Sequence, residues 1–176
     1  TGRNARILDT IKSKMNNYNV TVRGMAVNEL NCLISLLERY EFQVSTRGWG
    51  RLVTLDHFYE TYKEMPNTID TIEKSGIVDH IEVFKRGEKP SQPSKIYDSN
   101  DIEIGRFPNA KYAILGGRVE DEKLANDYFT KIKKELCDLL QGSHVTTEEK
   151  KILARILELN EQYKLKFTSK KELNEH

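Results

Sequence analysis

The chain has 176 residues, enough for one domain with a sizeable core. Its 28 Lys+Arg against 27 Asp+Glu leave a formal charge of +1, which argues against a general nucleic-acid binder but leaves room for a local anion site. No apolar run approaches the roughly 18 residues of a membrane span, and no signal peptide opens the chain. Cys32 and Cys137 stand apart without the spacing of a metal site or disulfide framework, so the expected setting is reducing and cytoplasmic.

The first residues, "TGRNARILDTIKSKM", enter a helical pattern at once, with Ile7, Leu8, Ile11 and Met15 on one stripe. The missing Met and the start inside an element suggest part of a longer protein. Residues 20–27, "VTVRGMAV", read as a buried parallel strand because they are mostly apolar and rich in Val. Asn28 is placed to cap the next helix, its side chain accepting from first-turn amides. Leu30, Leu33, Ile34 and Leu37 form that helix's apolar stripe, which is expected to end near Arg39. Helix, strand and helix in succession are the grammar of an α/β fold.

Arg47 and Arg51 then flank a Gly-Trp-Gly turn. "TLDHFYETYKEMPNTIDTIEKSG" reads as a helix broken near Pro66 and ended by Gly76. Residues 77–87 alternate apolar and polar like a half-buried strand. "EKPSQPSKIYDSND" reads as a Pro/Ser linker, and "KYAILGGR" as another short strand before a Gly-Gly turn. Two amphipathic helices follow. The first carries Tyr128, Phe129, Ile132, Leu136 and Leu139/Leu140; the second has a capping-box pair, Thr146 and Glu149, ahead of Ile152, Leu153, Ile156, Leu157 and Leu159. The expected layout is 1–88 as an α/β region, 89–121 as a linker with a possible strand, 122–165 as a helical extension and 166–176 as a charged tail.

Few residues carry obvious chemistry. Arg is a bidentate partner for phosphate and stays charged at any working pH, so Arg39, Arg47 and Arg51 are either solvated cations or an anion cluster. Trp49 is either a stacking surface or a packed anchor for its turn. Asp56 and His57 are adjacent on a helix, point to different faces and make no dyad; His80 has no partner visible in the sequence. Gly116-Gly117 lacks the following Lys-Ser/Thr of a phosphate loop, and no Gly-x-x-x-x-Gly-Lys-Ser/Thr occurs anywhere. No metal ligand set is identified.

Taken in order, "TGR" leading into a helix, "VTVRGMAVN", "LLERYE" and an Arg before "HFYETYKEMPNTIDTIEKSGIVDHIEVFKRG" resemble the C-terminal half of the zeta toxins, P-loop kinases of epsilon/zeta-type toxin–antitoxin systems. The resemblance covers residues 1 to about 88. It implies a P-loop kinase-like parallel sheet flanked by helices, in its C-terminal part only, with a mainly helical C-terminal extension. It further implies transfer of the γ-phosphate of ATP, with Mg²⁺, to UDP-N-acetylglucosamine, an antitoxin as protein partner, and no nucleic acid or membrane as partner. Arg39 stands at the Arg of the Glu-Arg-Tyr motif and Arg51 at the second Arg; by resemblance both bind ATP phosphates and act in catalysis, while Arg47 stays a surface residue. Thr1 and Arg3 stand at the substrate-side Thr-Gly-Arg positions. Asn28 replaces the family's usual Pro. The family's phosphate loop, Mg²⁺ ligand and general base belong to an N-terminal half that these residues do not include, so the chain alone is expected not to turn over. The alternatives are a non-catalytic interaction module and a P-loop kinase with another small-molecule substrate.

Overall fold

A computed structural model describes residues 4–14, 17–87, 92–104, 106–141 and 145–174. They form two compact units. The chain through Val27 and then Asp56–Asp121 builds a sheet unit, and Asn28–Leu55 with the residues from Glu122 onward builds a helical unit.

The sheet unit contains α1 (Asn4–Lys14), β1 (Thr21–Ala26), α3 (Leu55–Ser75, entered from the other unit at Leu55), β2 (His80–Lys85), β3 (Ser94–Asp98), a 3-10 turn at Ile102–Ile104, and α4 (Ala110–Glu120). The sheet order is β1-β2-β3, with β1 and β2 parallel and β3 antiparallel to β2. The parallel pair agrees with expectation; the sheet as a whole is mixed. The expected burial of β1 holds on one face only: Gly24 and Ala26 are buried, whereas Thr21, Arg23 and Met25 are exposed. Residues 77–87 contain a shorter strand than the alternation suggested, and Glu82 is buried along with Ile81 and Val83.

Two segments differ in kind from the expected elements. The Pro/Ser linker contains β3, which gains its ladder from β2. The stretch around Gly116-Gly117 is helix α4, capped by Asn109, whose side chain accepts from Tyr112 N–H at 3.0 Å. Its glycines serve close packing and not a turn. A Cβ on Gly117 would lie 2.6 Å from Ala26 Cβ and 2.7 Å from Ile96 Cδ1. Removing that carbon lets the helix backbone approach the sheet, where Ala110, Ala113 and Ile114 join Ala26, Ile69, Ile72, Ile81, Val83 and Ile96 in the core. Helix α3 runs unbroken through Pro66 and ends at Gly76, whose φ of 62° is left-handed.

The helical unit packs α2 (Glu29–Arg47) with α5 (Glu122–Leu139) and α6 (Thr147–Asn174). Asn28 caps α2 as expected, accepting from Leu30 N–H at 2.9 Å. Leu30, Leu33, Ile34 and Leu37 are fully buried, in the i, i+3, i+4, i+7 order of a core-facing helix. The capping box of α6 is formed: Thr146 Oγ1 accepts from Glu149 N–H at 3.2 Å, and Glu149 Oε2 accepts from Thr146 N–H at 2.7 Å. The backbone of α6 continues to Asn174, through most of the stretch expected to be a charged tail. No helix among the described residues is long and apolar enough to cross a membrane.

Candidate functional site

The two arginines singled out from the sequence both belong to the helical unit. Arg39 is not at a helix end, as expected, but inside α2, which continues to Arg47 and is terminated by Gly48. Gly48 takes φ 74° and its N–H donates to Val44 O at 2.9 Å, the left-handed stop that an L-residue adopts only with strain. Arg39 lies two residues past the buried Leu37, about 200° around the helix, so its side chain is delivered to solvent and is exposed. Arg47 occupies the last helical turn, also exposed, and not the loop.

Beyond Gly48 the chain doubles back along the helix it has just left. Gly50 sits so close to Tyr40 that a Cβ there would be 2.9 Å from Tyr40 Cδ2, 3.0 Å from Tyr40 O and 3.2 Å from Gln43 Cβ. Arg51 N–H donates to Gln43 Oε1 at 3.1 Å. Further on, Leu55 N–H donates to Glu148 Oε1 at 2.6 Å, and that bond holds the Glu148 carboxyl below its usual range. The fold-back places Gly50 on Tyr40, so the residues next to each, Arg51 and Arg39, flank one contact. Both arginine side chains are exposed, and neither forms an ion pair among the described residues. Two guanidinium forks without carboxylate partners offer up to ten N–H donors to an anion.

Trp49, at the tip of this turn, is 67% exposed. That removes the packed-anchor alternative. Thr1 and Arg3, the substrate-side residues implied by resemblance, lie outside the described residues, as does Met15 of the first apolar stripe. His57 is exposed with Nδ1 3.3 Å from Glu60 Oε2, a surface contact within one helix.

A second cluster, in the sheet unit, was not visible in the sequence. The register sets Arg23 opposite Glu82 and Glu82 opposite Asp98. Asp98 accepts from Lys95 Nζ at 2.7 Å and lies 2.6 Å from His80 Nε2. Glu82 accepts from Arg23 Nε at 2.6 Å and from Lys95 Nζ. Lys95 is the main reason the Asp98 carboxyl titrates far below the usual range; burial opposes it, and the Asn100 N–H and His80 add to it. Lys95 and then Arg23 likewise lower Glu82. His80, Glu82 and Asp98 place ligand atoms within 4.8 Å of one another, a spacing that could hold a cation. Here the ammonium of Lys95 already bridges both carboxylates, so a metal ion would have to expel it. The cluster reads as a salt-bridge network that ties β1, β2 and β3 together. Its sequence signal was weak because Asp98 and Lys95 sat in what read as a linker.

The sequence model of the family described as Zeta toxin matches residues 4–102. The match contains Arg39 and Arg51, begins after Thr1 and Arg3, and extends past residue 88 to take in β3. Among solved structures, the chain is similar to one from the PezAT chromosomal toxin–antitoxin system of Streptococcus pneumoniae, with a TM-score of 0.51 and 14% sequence identity. The similarity covers 92% of this chain and 51% of that one, so this chain spans about half the length of the structure it matches. A comparison with curated protein sequences gives no match.

Proposed function

The chain belongs to the zeta toxin family, and on that premise we propose that it supplies the phosphate-gripping arginines of a kinase that phosphorylates UDP-N-acetylglucosamine with ATP. The observation that carries this reading is the pair Arg39 and Arg51: exposed, without ion-pair partners among the described residues, and flanking the Tyr40–Gly50 contact. Phosphoryl transfer leaves little covalent chemistry to the protein; positioning and positive charge around the moving group do most of the work. Arg39, fixed on a helix whose opposite face is buried, and Arg51, set by a hydrogen-bonded turn, are suited to that task. Their charge is independent of pH in the working range.

The 176 residues contain no phosphate loop. The reading therefore requires a polypeptide that carries one, together with the Mg²⁺ ligand and the general base. ATP would supply the transferred phosphoryl group. Thr1 and Arg3 are assigned to the sugar-nucleotide side, and an antitoxin is the protein partner the family implies.

The test is phosphorylation of UDP-N-acetylglucosamine by the complete kinase carrying Arg39→Ala or Arg51→Ala. We expect each to lose well over tenfold in kcat/KM, more than about 1.4 kcal/mol of barrier. Wild-type rates in both variants would remove the clamp. The same losses in both variants, measured on a different acceptor that the wild-type kinase prefers, would keep the kinase and replace the substrate.

A further inference from the structure

Trp49 stands between Gly48 and Gly50 at the tip of the turn that precedes Arg51. It is the single tryptophan of the chain, and its indole is 67% exposed. Its ring makes no aromatic or cation–π contact among the described residues. Tryptophan is the largest apolar side chain, and leaving it in water forgoes more burial than any other residue would. The turn that presents it is nonetheless fixed on both sides. Gly48 is locked in the left-handed region with its N–H on Val44 O, and Gly50 is seated against Tyr40. Arg51 N–H is tied to Gln43. A flat π surface is thus held outward two residues before Arg51, on the turn that seats against Tyr40, the neighbour of Arg39. Neither arginine forms an ion pair among the described residues.

We propose that Trp49 is a stacking platform for the purine base of a nucleotide whose phosphates Arg39 and Arg51 hold. An exposed aromatic ring on the same turn as Arg51, whose guanidinium has no ion-pair partner among the described residues, matches a ligand that joins an aromatic base to a polyphosphate. Stacking on an indole needs no hydrogen-bond readout and favours the larger purine surface. Protein partners also use Trp and Arg as anchors, but two exposed arginines without ion-pair partners among the described residues, linked through the Tyr40–Gly50 contact, favour an anionic ligand. The inference rests on the phosphate-binding reading of the two arginines and adds the base to it.

The single tryptophan makes the test direct. The chain is titrated with ADP, UDP and inorganic tripolyphosphate while indole fluorescence is followed, and the same ligands are titrated by calorimetry into Trp49→Ala, Trp49→Phe, Arg39→Ala and Arg51→Ala. The expected result is quenching by millimolar ADP, weaker quenching by UDP, and tripolyphosphate binding without quenching. Trp49→Ala should weaken ADP on the order of tenfold, with tripolyphosphate unchanged and Trp49→Phe largely restoring affinity. Because Trp49 is exposed, its replacement leaves the fold intact, and unchanged melting checks this. Absence of quenching by ADP, quenching by UDP equal to that by ADP, or equal ADP affinity in Trp49→Ala each overturns the proposal. Tripolyphosphate binding that survives Arg51→Ala and Arg39→Ala instead overturns the clamp, and the fluorescence titration still judges Trp49 separately.

Discussion

Replacing Gly50 by Ala is the sharpest structural test of the arginine pair, because it adds one methyl and no charge. The new Cβ would stand 2.9 Å from Tyr40 Cδ2 and 3.0 Å from Tyr40 O. The carbonyl belongs to the body of α2 and cannot yield, and the ring of Tyr40 is half-buried. The turn must therefore lift off the helix by several tenths of an ångström. Overpacking of this kind costs on the order of 1–2 kcal/mol. If Arg51 holds phosphate as proposed, the functional cost is larger in proportion, since a displacement of about 1 Å at a positioning group can lower a rate by about a hundredfold. Arg51 follows Gly50 directly and its N–H bond to Gln43 spans the same gap.

Gly48→Ala is the matched control. Nothing lies within 4 Å of a Cβ at that position, yet φ is 74°. The expected cost there is about 1 kcal/mol of left-handed strain, with no steric push on Arg51. Two readouts decide: urea unfolding of the chain, and tripolyphosphate affinity by calorimetry. The two variants should lose similar stability, but only Gly50→Ala should show a clear loss of anion affinity, at least severalfold. Equal anion affinity in Gly50→Ala and wild type would refute the claim that the Tyr40–Gly50 seat positions Arg51.

Asp98→Asn should destabilise the chain by about 2 kcal/mol at pH 7, the loss of charged hydrogen bonds from a buried carboxylate. The folded pKa of Asp98 is depressed, so its contribution is present above the unfolded carboxylate value near 3.9 and fades as pH falls below it; urea midpoints of wild type and variant should converge in acid, and a pH-independent gap would contradict the pairing with Lys95. Gly117→Ala should gain up to about 1 kcal/mol of helix propensity but lose more to the clash with Ala26 and Ile96, for a net loss on the order of 1–2 kcal/mol by urea unfolding. A stabilised variant would mean that α4 does not pack this closely. Thr146→Ala removes one side of the capping box and should cost about 1–2 kcal/mol, because Glu149 is buried and keeps only the Thr146 amide of that reciprocal pair; an unchanged melting temperature would show the box adds nothing.

How much of this was legible depends on where each element gets its stability. The buried stripe of α2 and the Thr146–Glu149 box were readable because both are local patterns fixed by helical geometry. The end of α2 was not. Past Leu37 the apolar spacing lapses, Phe42 faces solvent, and the helix is carried on by its own backbone until Gly48 stops it. For residues 110–117 a short apolar run fits helix or strand equally by periodicity; what decides is that Gly117 must meet Ala26 on a strand far away in sequence. β3 is similar. Its five residues between prolines become a strand because β2 offers a ladder, and only that pairing brings Asp98 to His80 and Lys95 to Glu82.

The same distinction applies to the two arginines, and it changes what the pair means. Family resemblance pointed to Arg39 and Arg51 by order along the chain, as neighbours around a loop. In the fold they are held by different means. Arg39 inherits the rigidity of a helix whose opposite face is buried by Leu30, Leu33, Ile34 and Leu37, so its position is as firm as that core. Arg51 depends on one glycine seat and two hydrogen bonds, to Gln43 and, through Leu55, to Glu148. Destabilising the α2 core should therefore loosen both arginines together with the whole helical unit, whereas changes at Gly50 or Gln43 should loosen Arg51 alone.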